Sequence, residues 1–141
     1  VAHRTAYSSH AIDLAIPAVP VQSAPAAGVT GVNGTTQFVW TDTGTVFVFH
    51  VEDVDYYQGL FVVSSRKRLS LPSFEGFDLR PGGSHTWQVE THGRPVSVDE
   101  FAEPQGGLDA MSLNLDSPQG PTMWSSGSHA RSLRRSFTTA N

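Results

Sequence analysis

The chain has 141 residues, 38% of them hydrophobic, and its 8 Phe, 3 Trp and 3 Tyr suffice for one domain with one modest core. Charged residues make up only 16% and the formal net charge is −4, which excludes the basic footprint of a nucleic-acid binder. With no cysteine, disulfides and thiolate metal sites are excluded, and no apolar run approaches the ~20 residues that span a bilayer.

Residues 1–10 are polar and aperiodic, as expected of a flexible leader. Ile12, Leu14 and Ile16 then alternate with Asp13 until Pro17 and Pro20 interrupt them. Residues 1–20 therefore read as a leader carrying an edge strand, or one exchanged with a neighbour's sheet. Ala, Gly, Pro and Asn dominate residues 21–36, so a loop is expected there.

Residues 37–41 predict a short strand with Phe38 and Trp40 on one face, followed by turn chemistry at Asp42-Thr43-Gly44. Thr45 to Val51 is the strongest strand signal, with β-branched and aromatic residues on both faces, as a central covered strand requires. Glu52 to Gly59 reads as an acidic loop, and residues 59–63 as a strand. Arg66-Lys67-Arg68 form a basic turn ahead of the alternating Arg68–Leu71.

Phe74, Phe77 and Leu79 carry apolar side chains around a corner to Pro81-Gly82, where Pro presets φ and Gly accepts unusual backbone angles. His85, Trp87 and Val89 then point one way along a strand. From Gly93 to Ala130 the pattern breaks. Ser97-Val98-Asp99-Glu100 fits a capping box that starts a short helix through Phe101, stopped by Pro104. Leu133, Arg135 and Phe137 alternate against Arg134, Ser136 and Thr138 in a last strand. Six or seven short strands without a useful helical period predict an all-β protein, a two-sheet antiparallel sandwich of about seven strands. It would occupy residues 21–141, with a long irregular connection over 93–130 before the last strand.

Phe38-x-Trp40, the Phe/Val strand, Leu69-x-Leu71-Pro72, Leu79-x-Pro81-Gly82-x-x-His85-x-Trp87-x-Val89 and Arg135-x-Phe137-Thr138-Thr139 together resemble the fibronectin type III-like domains of exported bacterial proteins. The resemblance covers residues 35–92 and 131–140. It implies structural roles for Trp40, Leu79, Pro81, His85 and Trp87, and a secreted, periplasmic or cell-surface location, lipoproteins included. In that family a tyrosine after the Pro-Gly turn bonds its hydroxyl back to the backbone, the tyrosine corner. His85 stands in that place, so a buried or half-buried imidazole hydrogen-bonded to nearby backbone is expected. The long 93–130 segment departs from the family, where that connection is short.

Glu52, Asp53 and Asp55 could supply oxygen ligands to Ca²⁺, although their spacing does not fit an EF-hand and a solvated loop is the plainer reading. Tyr56 and Tyr57 beside them offer sugar-stacking surfaces. Trp124 in the Gly/Ser-rich connection reads as a lid over the core edge or as a binding anchor. Phe101 with Glu100 and Glu103 would share that surface. Two basic groups, Arg66–Arg68 and Arg131 with Arg134 and Arg135, could face an acidic partner. No Gly-x-Ser-x-Gly elbow and no metal-spaced histidine pair is present, and no motif calls for a cofactor. The expected function is a non-catalytic structural or protein-interaction module. A carbohydrate-binding module is the alternative, as is a subunit adding a strand to its neighbour. Partners are accordingly another protein or a surface glycan.

Overall fold

The computed structural model describes residues 17–56, 58–71, 79–92, 97–102, 112–114, 122–124 and 129–141. The Ile12–Ile16 stretch, Phe74, Phe77, Tyr57 and Glu103 lie outside them, as do the side chains of 112–114 and 122–124, Trp124 among these.

The described residues form an all-β structure. One sheet holds β1 (Val21–Ala24), β3 (Gln37–Thr41) and β6 (Arg68–Ser70) in the order β1-β3-β6. The larger sheet runs β2-β11-β7-β4-β5, from β2 (Val29–Val32), β11 (Arg135–Thr139), β7 (Ser84–His92), β4 (Phe47–Asp53) and β5 (Gly59–Ser64). The consecutive strands β3 and β4 thus belong to different sheets. Three expectations need correction. Residues 21–36 are not a loop but hold β1 and β2, whose bonds to β3 and β11 are made by backbone, so small residues suffice. The larger sheet is not wholly antiparallel, because β2 pairs with β11 in parallel. The connection before the last strand is not wholly irregular. Besides the expected short helix, α1 (Val98–Ala102), it contains an antiparallel pair, β8 (Ser112–Asn114) with β9 (Thr122–Trp124). It ends in β10 (His129–Arg131), which pairs with residues 90–92 of β7.

The two main sheets meet in an aromatic core. Phe38 lies edge-on to Phe49, Trp87 and Phe137 at centroid distances of 5.2, 5.2 and 5.5 Å. Trp40 reaches Phe47 at 5.7 Å. Such pairs each add about 0.5–1.5 kcal/mol beyond the area they bury. Phe38 of β3 thereby pins Trp87 of β7 across the sandwich without a covalent bridge.

Strand β4 is buried along its whole length, and two different neighbours account for its two faces. Phe47, Phe49 and Val51 enter the inter-sheet core. On the outer face Val48, with Val46 just before the strand, packs under Phe101 of α1. The Ser97 hydroxyl accepts the Glu100 N–H at 3.1 Å, so the N-cap read from the sequence seats this helix.

Farther along the outer face, polar side chains from β4 and β7 are buried as pairs. Arg131 Nε donates to Glu90 at 2.8 Å, and Arg134 lies 3.2 Å from Glu52. Gln88 and His50 approach to 3.4 Å, and the His50 ring stacks on Phe61 at 4.1 Å.

The Pro81-Gly82 corner closes as the sequence suggests. The Gly83 N–H donates to the Arg80 carbonyl at 3.0 Å, while Gly82 takes φ +64°, a left-handed angle that suits glycine. Its N–H donates to the Ala140 carbonyl and that of Thr139 to the Gly83 carbonyl, so the turn is tied to the chain's last strand.

Candidate functional site

The corner and the β4–β5 turn stand side by side at one end of the larger sheet. In the β4–β7 register Asp53 faces His85, and the Val54 N–H donates to the Ser84 carbonyl at 3.0 Å. Between the two turns is a pocket of about 260 Å³. Val51 and Leu79 supply its apolar wall, Asp53 and Arg80 its charges, Tyr56 its rim and His85 its floor.

Asp53 is built into this end by its own turn. Its Oδ1 accepts the N–H groups of Asp55 at 2.8 Å and Tyr56 at 3.1 Å, an Asx-type turn. Its Oδ2 lies 3.2 Å from Arg80 Nε. Burial opposes ionisation of Asp53, but the hydrogen bonds from Arg80, Asp55 and Tyr56 outweigh it and hold the carboxyl below its ordinary range. Arg80 also pairs with the exposed Asp55, and its guanidinium lies over the Tyr56 ring, 5.0 Å from the centroid. These contacts raise the Arg80 pKa further, led by the bond to Asp53.

His85 is only 1% exposed, and its ring stacks on Phe137 at 5.2 Å. The expected bond to nearby backbone is not formed: neither ring nitrogen has a hydrogen-bond partner among the described residues. Nδ1 instead looks toward Asp53 Oδ2, 3.8 Å away. An imidazole is shorter than a phenol, so His85 fills the corner mainly by packing, with the Arg80 carbonyl near enough to act on the ring without forming a well-aligned bond. Burial lowers its pKa, against the opposing pull of Asp53 and the Arg80 carbonyl.

The remaining expected site residues separate. Glu52 and Asp53 are not loop residues but the buried end of β4. Glu52 turns to Arg134 while Asp53 and Asp55 turn to Arg80, so the three carboxylates do not converge as Ca²⁺ ligands must. Among the described residues no group of three His, Cys, Asp or Glu could hold a metal ion. Phe101 is fully buried and supports the fold rather than a binding surface. Glu100 is exposed at the start of α1, far in sequence from the pocket. Tyr56 is 64% exposed at the pocket rim.

Of the second basic group, Arg131 and Arg134 neutralise Glu90 and Glu52, and Arg135 donates to the Pro25 carbonyl at 3.2 Å. Arg66, Lys67 and Arg68 line an open depression beside β6, a short edge strand whose cations discourage pairing with another sheet.

Sequence reasoning missed Arg80, Gln58 and the joining of the acidic turn to the Pro-Gly corner. The one signal available was the opposite charge of Asp53 and Arg80, each beside one of the two clearest strand signals. No family model, curated protein or solved structure matches the chain. Among the described residues no helix is long and apolar enough to cross a membrane.

Proposed function

We propose that this chain is a non-catalytic recognition module of an exported bacterial protein, a fibronectin type III-like sandwich that binds through its Tyr56–Arg80 end. The strand order supports the sandwich type. Immunoglobulin-like folds keep strands A, B and E in one sheet and C, F and G in the other. The orders β1-β3-β6 and β11-β7-β4 follow that pattern, with β5 added beside β4. Export, to the periplasm, the cell surface or beyond, rests on the resemblance of the Leu79–Val89 corner to that family.

The observation that carries the recognition role is the Asp53–Arg80–Tyr56 cluster at the mouth of a pocket between two turns. Turns at a sandwich end are where this architecture presents binding residues. The carboxylate there is locked by two backbone N–H groups and a guanidinium, which suits it to hold a ligand's polar groups rather than to shuttle protons.

The test is biolayer interferometry of the immobilised chain against fractionated bacterial envelope, protein and polysaccharide fractions separately. At least one fraction is expected to bind the native chain and to lose binding to a Tyr56→Ala/Gln58→Ala double variant. Both positions are exposed, so the fold is spared. Equal binding by native chain and variant, or none by either, would refute the role.

A further inference from the structure

We infer that the pocket between Tyr56 and His85 is a subsite for one ring of a neutral sugar, a reading that rests on the recognition role above and names its ligand class. Size comes first. At about 260 Å³ the pocket lies just under the ~300–1,000 Å³ of sites for drug-sized ligands, so its occupant is a single ring or its equivalent.

Charge narrows the chemistry. Asp53 and Asp55 are already compensated by Arg80, and Glu52 by Arg134. An anionic ligand would enter beside three carboxylates, and an amine or metal ion would have to displace Arg80 from Asp53. A neutral polyol displaces nothing. Its hydroxyls donate to the carboxylate lone pairs and accept from the guanidinium, which spends Nε on Asp53 and one Nη2 hydrogen on Asp55 and has others to give. A carboxylate and a guanidinium side by side match two hydroxyls on neighbouring ring carbons. Gln58, an exposed pocket residue whose amide has no partner among the described residues, offers both a donor and an acceptor.

The apolar wall fits the remainder of such a ring. The half-buried Leu79 and the exposed Tyr56 ring give the C–H face of a sugar something to rest on, and the Arg80 guanidinium over that ring, 5.0 Å from its centroid, restrains it. At the floor His85 packs beneath Asp53, its Nδ1 3.8 Å from Oδ2. Asp53 is fixed by its two backbone N–H bonds before any ligand arrives, so little ordering cost falls on binding.

The experiment is amide NMR of the full chain, titrated to millimolar concentration with the methyl glycosides of glucose, galactose, mannose and N-acetylglucosamine. Glucuronate and butylamine serve as the anionic and cationic probes. At least one glycoside is expected to give saturable shifts at the amides of Asp53, Tyr56, Gln58 and His85, with smaller responses to both charged probes. Tyr56→Ala and Gln58→Ala, each with an otherwise native spectrum, should each weaken that glycoside about tenfold, a loss of about 1.4 kcal/mol. Silence from all four glycosides at these amides, an equal response to a charged probe, or full affinity in both variants would overturn the inference. If the glycosides are silent while an envelope protein fraction still distinguishes native chain from double variant, the sugar is wrong and the recognition role stands. Failure of both would remove the two together.

Discussion

His50 offers a prediction whose size follows from its surroundings. Its ring is 6% exposed, stacked on Phe61 and beside the Gln88 amide. Burial, reinforced by Arg134 and Arg131 and only partly offset by Glu90, lowers its pKa from 6.5 to about 4. A histidine with a lowered folded pKa binds its proton first in the unfolded chain. Its contribution to stability is therefore complete above pH ~6.5 and is lost as pH falls toward ~4. At about pH 5 the unfolded imidazole is almost fully protonated and the folded one about a tenth, which corresponds to about 2 kcal/mol relative to about pH 7.5. Asp53 and Glu90 have lowered pKa values, so their contributions are lost only at still lower pH. Urea unfolding at the two pH values should show the native chain losing about 2 kcal/mol more than His50→Gln on acidification. His85 remains in both proteins and cancels from the comparison. An identical pH dependence in the two would refute the buried, neutral imidazole.

Three further outcomes follow from the packing. Phe38→Ala removes the ring that touches Phe49, Trp87 and Phe137 and should cost about 3–5 kcal/mol in urea unfolding. Gly82→Ala forces a left-handed angle on a residue with a Cβ, and that Cβ would lie 2.6 Å from Asn141 Oδ1. A loss of about 1–2 kcal/mol is expected there, whereas Gly34→Ala, with nothing within 4 Å of its Cβ and no positive φ, should be near neutral. Ser97→Ala removes the N-cap of α1, which should cost about 1 kcal/mol and speed amide exchange at Phe101.

Strands that alternate large apolar side chains were legible. β3, β4, β5, β7 and β11 each carry Phe, Trp or Val into the core at the period a pleated strand demands. β1 and β2 were not, because they bury few side chains and are held by backbone bonds to β3 and β11. The two-faced apolarity of β4 correctly implied cover on both sides, but nothing local showed that Phe101, some fifty residues on, supplies one of them. The candidate site was legible only in halves. Asp53, Asp55 and Tyr56 stood out as an acidic aromatic turn and Leu79–His85 as a corner. Their union depends on the β4–β7 register that sets Asp53 opposite His85, a nonlocal fact that no spacing encodes. The outer-face pairs Glu90–Arg131 and Glu52–Arg134 were hidden for the same reason, each joining residues far apart in the chain.

The recognition role stands most directly on where a bound partner touches the chain. A benzophenone side chain placed at Gln58, on the pocket, can be compared with one at Ser70, exposed on β6 of the opposite sheet. After irradiation with envelope extract, position 58 should give a discrete adduct that competing native chain abolishes, and position 70 none. An adduct from position 70 alone, or equal labelling from both, would contradict it.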